Sequence, residues 1–175
     1  MRFLFLFCFL CAPLLGAFEN LKTLQGDFTQ EITTLEGETI VYQGKLFLKK
    51  PVHVRWDYVA PTTKHLYFDG KEAMIYEPKL EQVTIITIDD KVLDFSALLR
   101  NAKKQKDGRY RAIIEGKEYV LNVDSKDLPA SIEYLDEFEN RVKIVFANCR
   151  ANAKIADSVF EFQPPSHVDV VRHNR

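Results

Sequence analysis

The stretch Tyr42-Gln43-Gly44-Lys45-Leu46-Phe47-Leu48-Lys49-Lys50-Pro51-Val52-His53-Val54-Arg55-Trp56-Asp57-Tyr58 decides the fold. In steps of two, Tyr42, Gly44, Leu46 and Leu48 share one face. Val52, Val54, Trp56 and Tyr58 share one face of the following segment, with His53, Arg55 and Asp57 opposite. Period-two alternation specifies two half-buried antiparallel strands. Lys49, Lys50 and Pro51 separate them, because proline has no N–H to give to a ladder. A sheet whose one face is this apolar and aromatic has to be covered, and the cover decides what the molecule does.

The same reading extends in both directions. Phe18 to Leu24 places Phe18, Leu21 and Leu24 on one side of about two helical turns, too short to be stable undocked. Strands are predicted over residues 25–33 and 40–48, with Glu36-Gly37 as the turn between them. After Pro61-Thr62-Thr63, strands 65–69 and 72–77 flank Asp69-Gly70, a strong hairpin signal. The β-branched run from Gln82 to Ile88 reads as a strand stopped by Asp89-Asp90. Asp94 is a plausible cap for a helix to Lys103, along which Phe95, Leu98, Leu99 and Ala102 recur at spacings of three and four. Strands follow at 109–114, 118–123, 131–135, 141–147 and 158–162, and the tail from His173 reads as loose. The sum is a mainly β (α+β) chain. About eleven strands in a meander form one curved antiparallel sheet, a half-open, unclosed barrel with short helices as a lid over its concave face.

The N-terminus is a processing segment. Arg2 precedes an apolar run from Phe3 to Leu15, and Gly16-Ala17 supplies small residues for cleavage, so residues 1–17 read as a signal peptide and 18–175 as one exported domain. The run falls short of the roughly 20 residues that span a bilayer. Cys8 and Cys11 would leave with the signal. Cys149 then remains alone, as a small apolar residue on or beside a strand with no disulfide partner. The formal net charge is -1, and the loss of Arg2 makes it -2, which argues against a nucleic-acid binder.

No catalytic constellation is visible. His53, His65, His167 and His173 are dispersed, and Asp89-Asp90 are adjacent residues whose side chains diverge. The chain has no G-x-S-x-G, no H-E-x-x-H and no phosphate-binding glycine loop. The expectation is a non-enzyme without cofactor or metal.

Several ordered pieces resemble the outer-membrane lipoprotein carrier protein (LolA) family. Gly26-Asp27-Phe28-Thr29-Gln30 is similar to its first-strand F-x-Q element. Gly44, Leu46, Pro51 and Trp56 are similar to its G-x-L…P…W block. Pro61, Asp69-Gly70, Tyr76-Glu77-Pro78 and Gln82-Val83 follow its next series, and Phe160 to Pro165 with Val168-Asp169 resemble its F-x-F-x-P-P-x-x-V-D ending. The resemblance implies a periplasmic monomer. Such a carrier takes acylated lipoproteins from an inner-membrane ABC release complex, shields their acyl chains in a cavity and hands them to an outer-membrane acceptor. A lipid-sensing domain or a free-lipid carrier of the same fold is the alternative.

On that resemblance, Leu46, Leu48, Val54, Trp56, Tyr58, Leu66, Phe68, Ile75 and Val83 are expected to line or underlie the cavity. Phe28, Leu98 and Leu99 should meet them from the first strand and the middle helix. The family carries an arginine before the strand-breaking proline. Lys50 stands there in this chain, keeping the charge but losing the planar fork, which implies a looser lid latch. The short N-terminal helix is a second departure and implies a thinner lid.

Overall fold

The computed structural model describes residue 18, residues 20–87 and residues 95–173. The predicted signal with Cys8 and Cys11, Ile88, Asp89-Asp90, the expected cap Asp94 and the last two residues lie outside them. The described chain folds as β1 (Thr23–Thr33), β2 (Thr39–Lys49), β3 (His53–Ala60), β4 (Lys64–Phe68), β5 (Glu72–Glu77), β6 (Gln82–Thr87), helix α1 (Phe95–Asn101), β7 (Lys103–Lys104), β8 (Tyr110–Ile114), β9 (Lys117–Val123), β10 (Pro129–Leu135), β11 (Arg141–Ala151) and β12 (Asp169–His173).

All these strands join one 12-stranded sheet in the order β12-β6-β5-β4-β3-β2-β1-β11-β10-β9-β8-β7. β12 and β7 are its two edges, so the sheet is an unclosed, curved band. Every pairing is antiparallel except that of β12 with β6. The hairpins turn where the residues allow it. Gly37 and Gly70 take φ of +89° and +93°, the left-handed conformation that glycine adopts without penalty. At the second of these turns the Asp69 carboxylate accepts from the backbone N–H groups of Lys71 and Glu72, both at 2.9 Å.

Four expectations are corrected. Phe18–Leu24 does not form two helical turns. Leu21 N–H closes a single turn on the Phe18 carbonyl at 3.1 Å, and the chain is extended from Thr23 because β1 pairs with β2 on one side and β11 on the other. Residues 158–162 are no strand. They begin inside a 3-10 turn (Asp157–Val159), and Phe160 and Phe162 then cross the sheet over β3 to β5 instead of running along it. The tail is anchored further than expected, since Asp169–His173 forms β12. The helix is also shorter than its periodicity suggested, and Lys103-Lys104 already belong to β7.

The main core lies between the concave face and two covering pieces, α1 and the segment around Phe18 and Leu21. A smaller apolar cluster occupies the convex face of β3–β6. There Tyr67, Val83 and Ile85 are buried, and Phe162 stacks on Tyr67 (4.9 Å between ring centroids, 15° between planes) and Tyr76 (5.2 Å, 30°). The segment between β11 and β12 is thus a strap. It crosses the back of the sheet, held by the Lys49–Asp157 ion pair and by Arg55 Nη1 donating to the Val159 carbonyl at 2.9 Å.

Candidate functional site: a covered concave face

Strand register assigns each predicted residue to a face, because directly paired residues project on the same side. Phe28 pairs with Gly44, which pairs with Tyr58. Leu46, Trp56, Leu66 and Ile75 form a second row across β2 to β5, and Leu48, Val54 and Phe68 a third. These ten residues share the concave face, where Leu98 and Leu99 of α1 meet them, both essentially inaccessible. Val83 does not join them. It pairs with Tyr76, which pairs with His65, which pairs with Asp57, so it lies on the convex face beneath the strap. Only the Val83 and Ile85 side of β6 is buried, and a run with apolar β-branched residues on both sides does not say in sequence which side faces the concave core.

The centre of the concave face is aromatic. Phe28 meets Trp56 edge-on at 4.9 Å and Tyr58 at 5.0 Å. Trp56 meets Phe95 of α1 at 5.8 Å and Phe146 of β11 at 6.2 Å. Gly44 makes room for this cluster. A Cβ there would stand 2.0 Å from the Asp57 carbonyl oxygen and 2.6 Å from the Phe28 ring. Phe95 and Phe146 are central members that the sequence reading left out of the site. Phe146 carried a usable signal, the alternation Val142, Ile144, Phe146 along a single strand.

Two polar groups stand out in this apolar setting, Gln30 on β1 and Tyr58 on β3. The Tyr58 hydroxyl donates to Gln30 Oε1 at 2.9 Å. Burial, with Tyr42 adding a smaller push, raises the phenol to about 12.

The cover is fastened at the β2–β3 turn. The Lys50 ammonium donates to the Phe18 carbonyl, and the Lys50 backbone N–H donates to the Lys22 carbonyl at 2.9 Å. From the other side, Arg100 Nη1 at the end of α1 donates to the Pro51 carbonyl at 3.1 Å. Lys50 thus joins the β2–β3 turn to the N-terminal segment. Beside this turn opens a cleft of about 860 Å³ between residues 21–23, 49–51 and 152–154 and Arg100.

The concave face is covered over part of its extent. Phe18, Leu21, Leu24, Phe95, Leu98 and Leu99 pack with Phe28, Leu46, Leu48 and Val54, which are buried, while Trp56, Tyr58, Leu66, Phe68 and Ile75 are half-buried. An apolar surface in water covers itself when it can. Acyl chains would reach the buried part of this face by displacing α1 or the N-terminal segment, and its half-buried part without doing so. Cys149 lies half-buried on β11, where burial above all, and the carboxylates of Asp124 and Asp27 after it, push the thiol up. Among the described residues, no group of His, Cys, Asp and Glu could hold a metal ion, and no helix is long and apolar enough to cross a membrane.

Residues 19–118 match the family described as outer membrane lipoprotein carrier protein LolA. An outer-membrane lipoprotein carrier protein of Helicobacter hepaticus is 37% identical over 175 residues, covering 99% of this chain and 97% of that protein. One of Wolinella succinogenes is 33% identical, covering 98% and 99%. Among solved structures, an uncharacterised conserved protein of Thermus thermophilus aligns with a TM-score of 0.58 at 15% identity, over 90% of this chain and 94% of that one. A LolA superfamily protein of Nitrosomonas europaea aligns at 0.50 and 8% identity, over 81% and 91%. The structural likenesses speak to the fold.

Proposed function

The chain belongs to the LolA family of outer membrane lipoprotein carrier proteins, and on that premise we propose that it carries acylated lipoproteins through the periplasm, their acyl chains held against the concave face. The observation that carries the reading is the mismatch between that face and its cover. Among the described residues, the inward side of the sheet, ten residues with an aromatic centre, is covered by one seven-residue helix and a short N-terminal segment. The cover is tied at its rim by polar contacts around Lys50 and Pro51.

The physics suits a carrier. Each methylene of an acyl chain costs about 0.8 kcal/mol in water. A face already coated by the protein's own apolar side chains exchanges one apolar contact for another, so the net affinity stays intermediate and release stays possible. No bond is made or broken in this cycle, and the reading assigns no catalytic residue. The inner-membrane ABC release complex as donor and an outer-membrane acceptor are the partners this reading adds.

The test is release of a labelled lipoprotein from inner-membrane vesicles. Adding the protein should move label into the soluble fraction as a one-to-one complex. Equal release with and without it would overturn the proposal.

A further inference from the structure

The cleft beside the β2–β3 turn is lined by Lys22, Lys49, Lys50, Arg100 and Lys154, with no carboxylate among its described lining residues. Asp157 answers Lys49 from outside the cleft. Lys22 and Lys154 have no side-chain partner among the described residues, and both are exposed. Like charges gathered around one concavity repel, and an anion seated there relieves that repulsion.

The walls between the cations are apolar. Leu21, which is buried, Pro51, Ala153 and the lysine stems supply apolar lining, and Thr23 and Asn152 line it as well. Backbone groups here already have partners in the chain. Lys22 N–H donates to Asn152 Oδ1 at 2.8 Å, Asn152 N–H to the Thr23 carbonyl at 2.8 Å, and the Thr23 hydroxyl to the Ala153 carbonyl at 2.7 Å. A peptide adding as a strand would need such groups open. A ligand recognised by charge at one end and greasy contact at the other does not. The volume falls within the range of small-ligand pockets.

We propose that this cleft is a binding site for an anionic amphiphile: an acyl lipid whose negatively charged headgroup lies between Lys22 and Lys154 and whose tail runs along Leu21, Pro51 and Ala153. It is separate from the concave face and goes beyond the carrier reading, because it adds selection by headgroup charge at the seam of the cover.

The test compares binding of lysophosphatidylglycerol, lysophosphatidylcholine of the same chain length and glycerol phosphate, all below micelle concentration, to the whole mature protein. The wild type should bind the anionic lysolipid at least about ten-fold more tightly than the zwitterionic one at low salt, the gap shrinking as salt screens the cleft. Lys22→Glu with Lys154→Glu should close the gap and leave lysophosphatidylcholine binding unchanged. Lys22→Gln with Lys154→Gln, a milder change at exposed positions, should narrow it. Glycerol phosphate should bind at least ten-fold more weakly than the anionic lysolipid. Equal affinity for the two lysolipids, or a preference that survives the double Glu variant, would overturn the site. Glycerol phosphate binding as tightly as the lysolipid would reduce it to a phosphate site and overturn the amphiphile. No cargo or vesicle enters this measurement, so its failure leaves the carrier reading standing, and failure of vesicle release leaves this one standing.

Discussion

Lys50 and Phe18 are 32 positions apart in sequence and joined directly, the lysine ammonium donating to the phenylalanine carbonyl at the rim of the concave face. Phe18 in turn sets its ring against Tyr110 of β8 at 5.6 Å. The hydrogen bond thus ties the N-terminal cover to the β2–β3 turn while the ring ties it to the far half of the sheet.

Lys50→Leu removes that tie. A charge-assisted hydrogen bond contributes about 1.5 kcal/mol or more when shielded, and less at a half-buried rim. Uptake of an environment-sensitive apolar dye should rise several-fold, with little change in melting temperature. Lipoprotein handover should change as well. If dye uptake and handover both match the wild type, the latch idea fails.

Gly44→Ala should be among the costliest single-methyl additions in the chain. The added carbon would meet a backbone oxygen and the Phe28 ring at the same time, and a carbonyl held in a ladder cannot step aside. A loss of about 3 kcal/mol is expected, lowering the melting temperature by about 10 °C. Gly37→Ala, at an open turn with φ of +89° and nothing within 4 Å, should lose only about 1 kcal/mol. Similar losses at the two positions would contradict this account of the aromatic centre.

Phe162→Ala should loosen the strap without opening the concave face. Its ring lies between Tyr67 and Tyr76 on the convex side, and truncating a half-buried aromatic there costs about 2 kcal/mol. Amide exchange should speed up in β12 and β6 and stay slow in β1 and β11. Uniform acceleration through the sheet would show that the strap is no separate unit.

Tyr58 makes the alkaline limb of stability informative. Its phenol is raised from 10.0 to about 12 in the folded protein. The neutral form is therefore favoured by folding. That contribution is whole below pH 10 and declines as pH climbs from 10 towards 12. The stability difference between the wild type and Tyr58→Phe should shrink over that window, as followed by denaturant titration. A constant difference from pH 9 to 12 would mean that the hydroxyl titrates as it does in the unfolded chain.

The residues around Lys50-Pro51 made the sheet legible, because alternation on both sides of a proline admits one interpretation. Asp69-Gly70 did the same for β4 and β5. Phe18, Leu21 and Leu24 misled, since their spacing of three fits a helix and also fits a single turn feeding a strand with neighbours on both sides. Phe160 and Phe162 alternate as strand residues do, but their rings dock onto the back of the sheet: Phe160 on His53, Phe162 on Tyr67 and Tyr76. The parallel pairing of β12 with β6 left no local trace, for its partner lies some 90 residues upstream and no short turn announces it. Within the candidate site, the concave residues of β1 to β5 were readable from period alone. Val83 was not, because alternation shows that Val83 and Ile85 share a side without saying whether that side is concave or convex. The Phe18 carbonyl as the partner of Lys50, and the gathering of Lys22 and Lys154 around one cleft, depend on tertiary neighbours and left no mark in the sequence.

A closed ring of strands can widen its girth only by snapping rungs. The band described above begins at β12 and finishes at β7, two edges that do not pair with each other. Its bow can therefore flatten by spreading a slight change of twist over every neighbouring pair, each ladder staying intact. Room for a fatty tail would then be drawn from elasticity, with side-chain contacts alone surrendered, and the same spring would press the passenger out once a better home touched the rim.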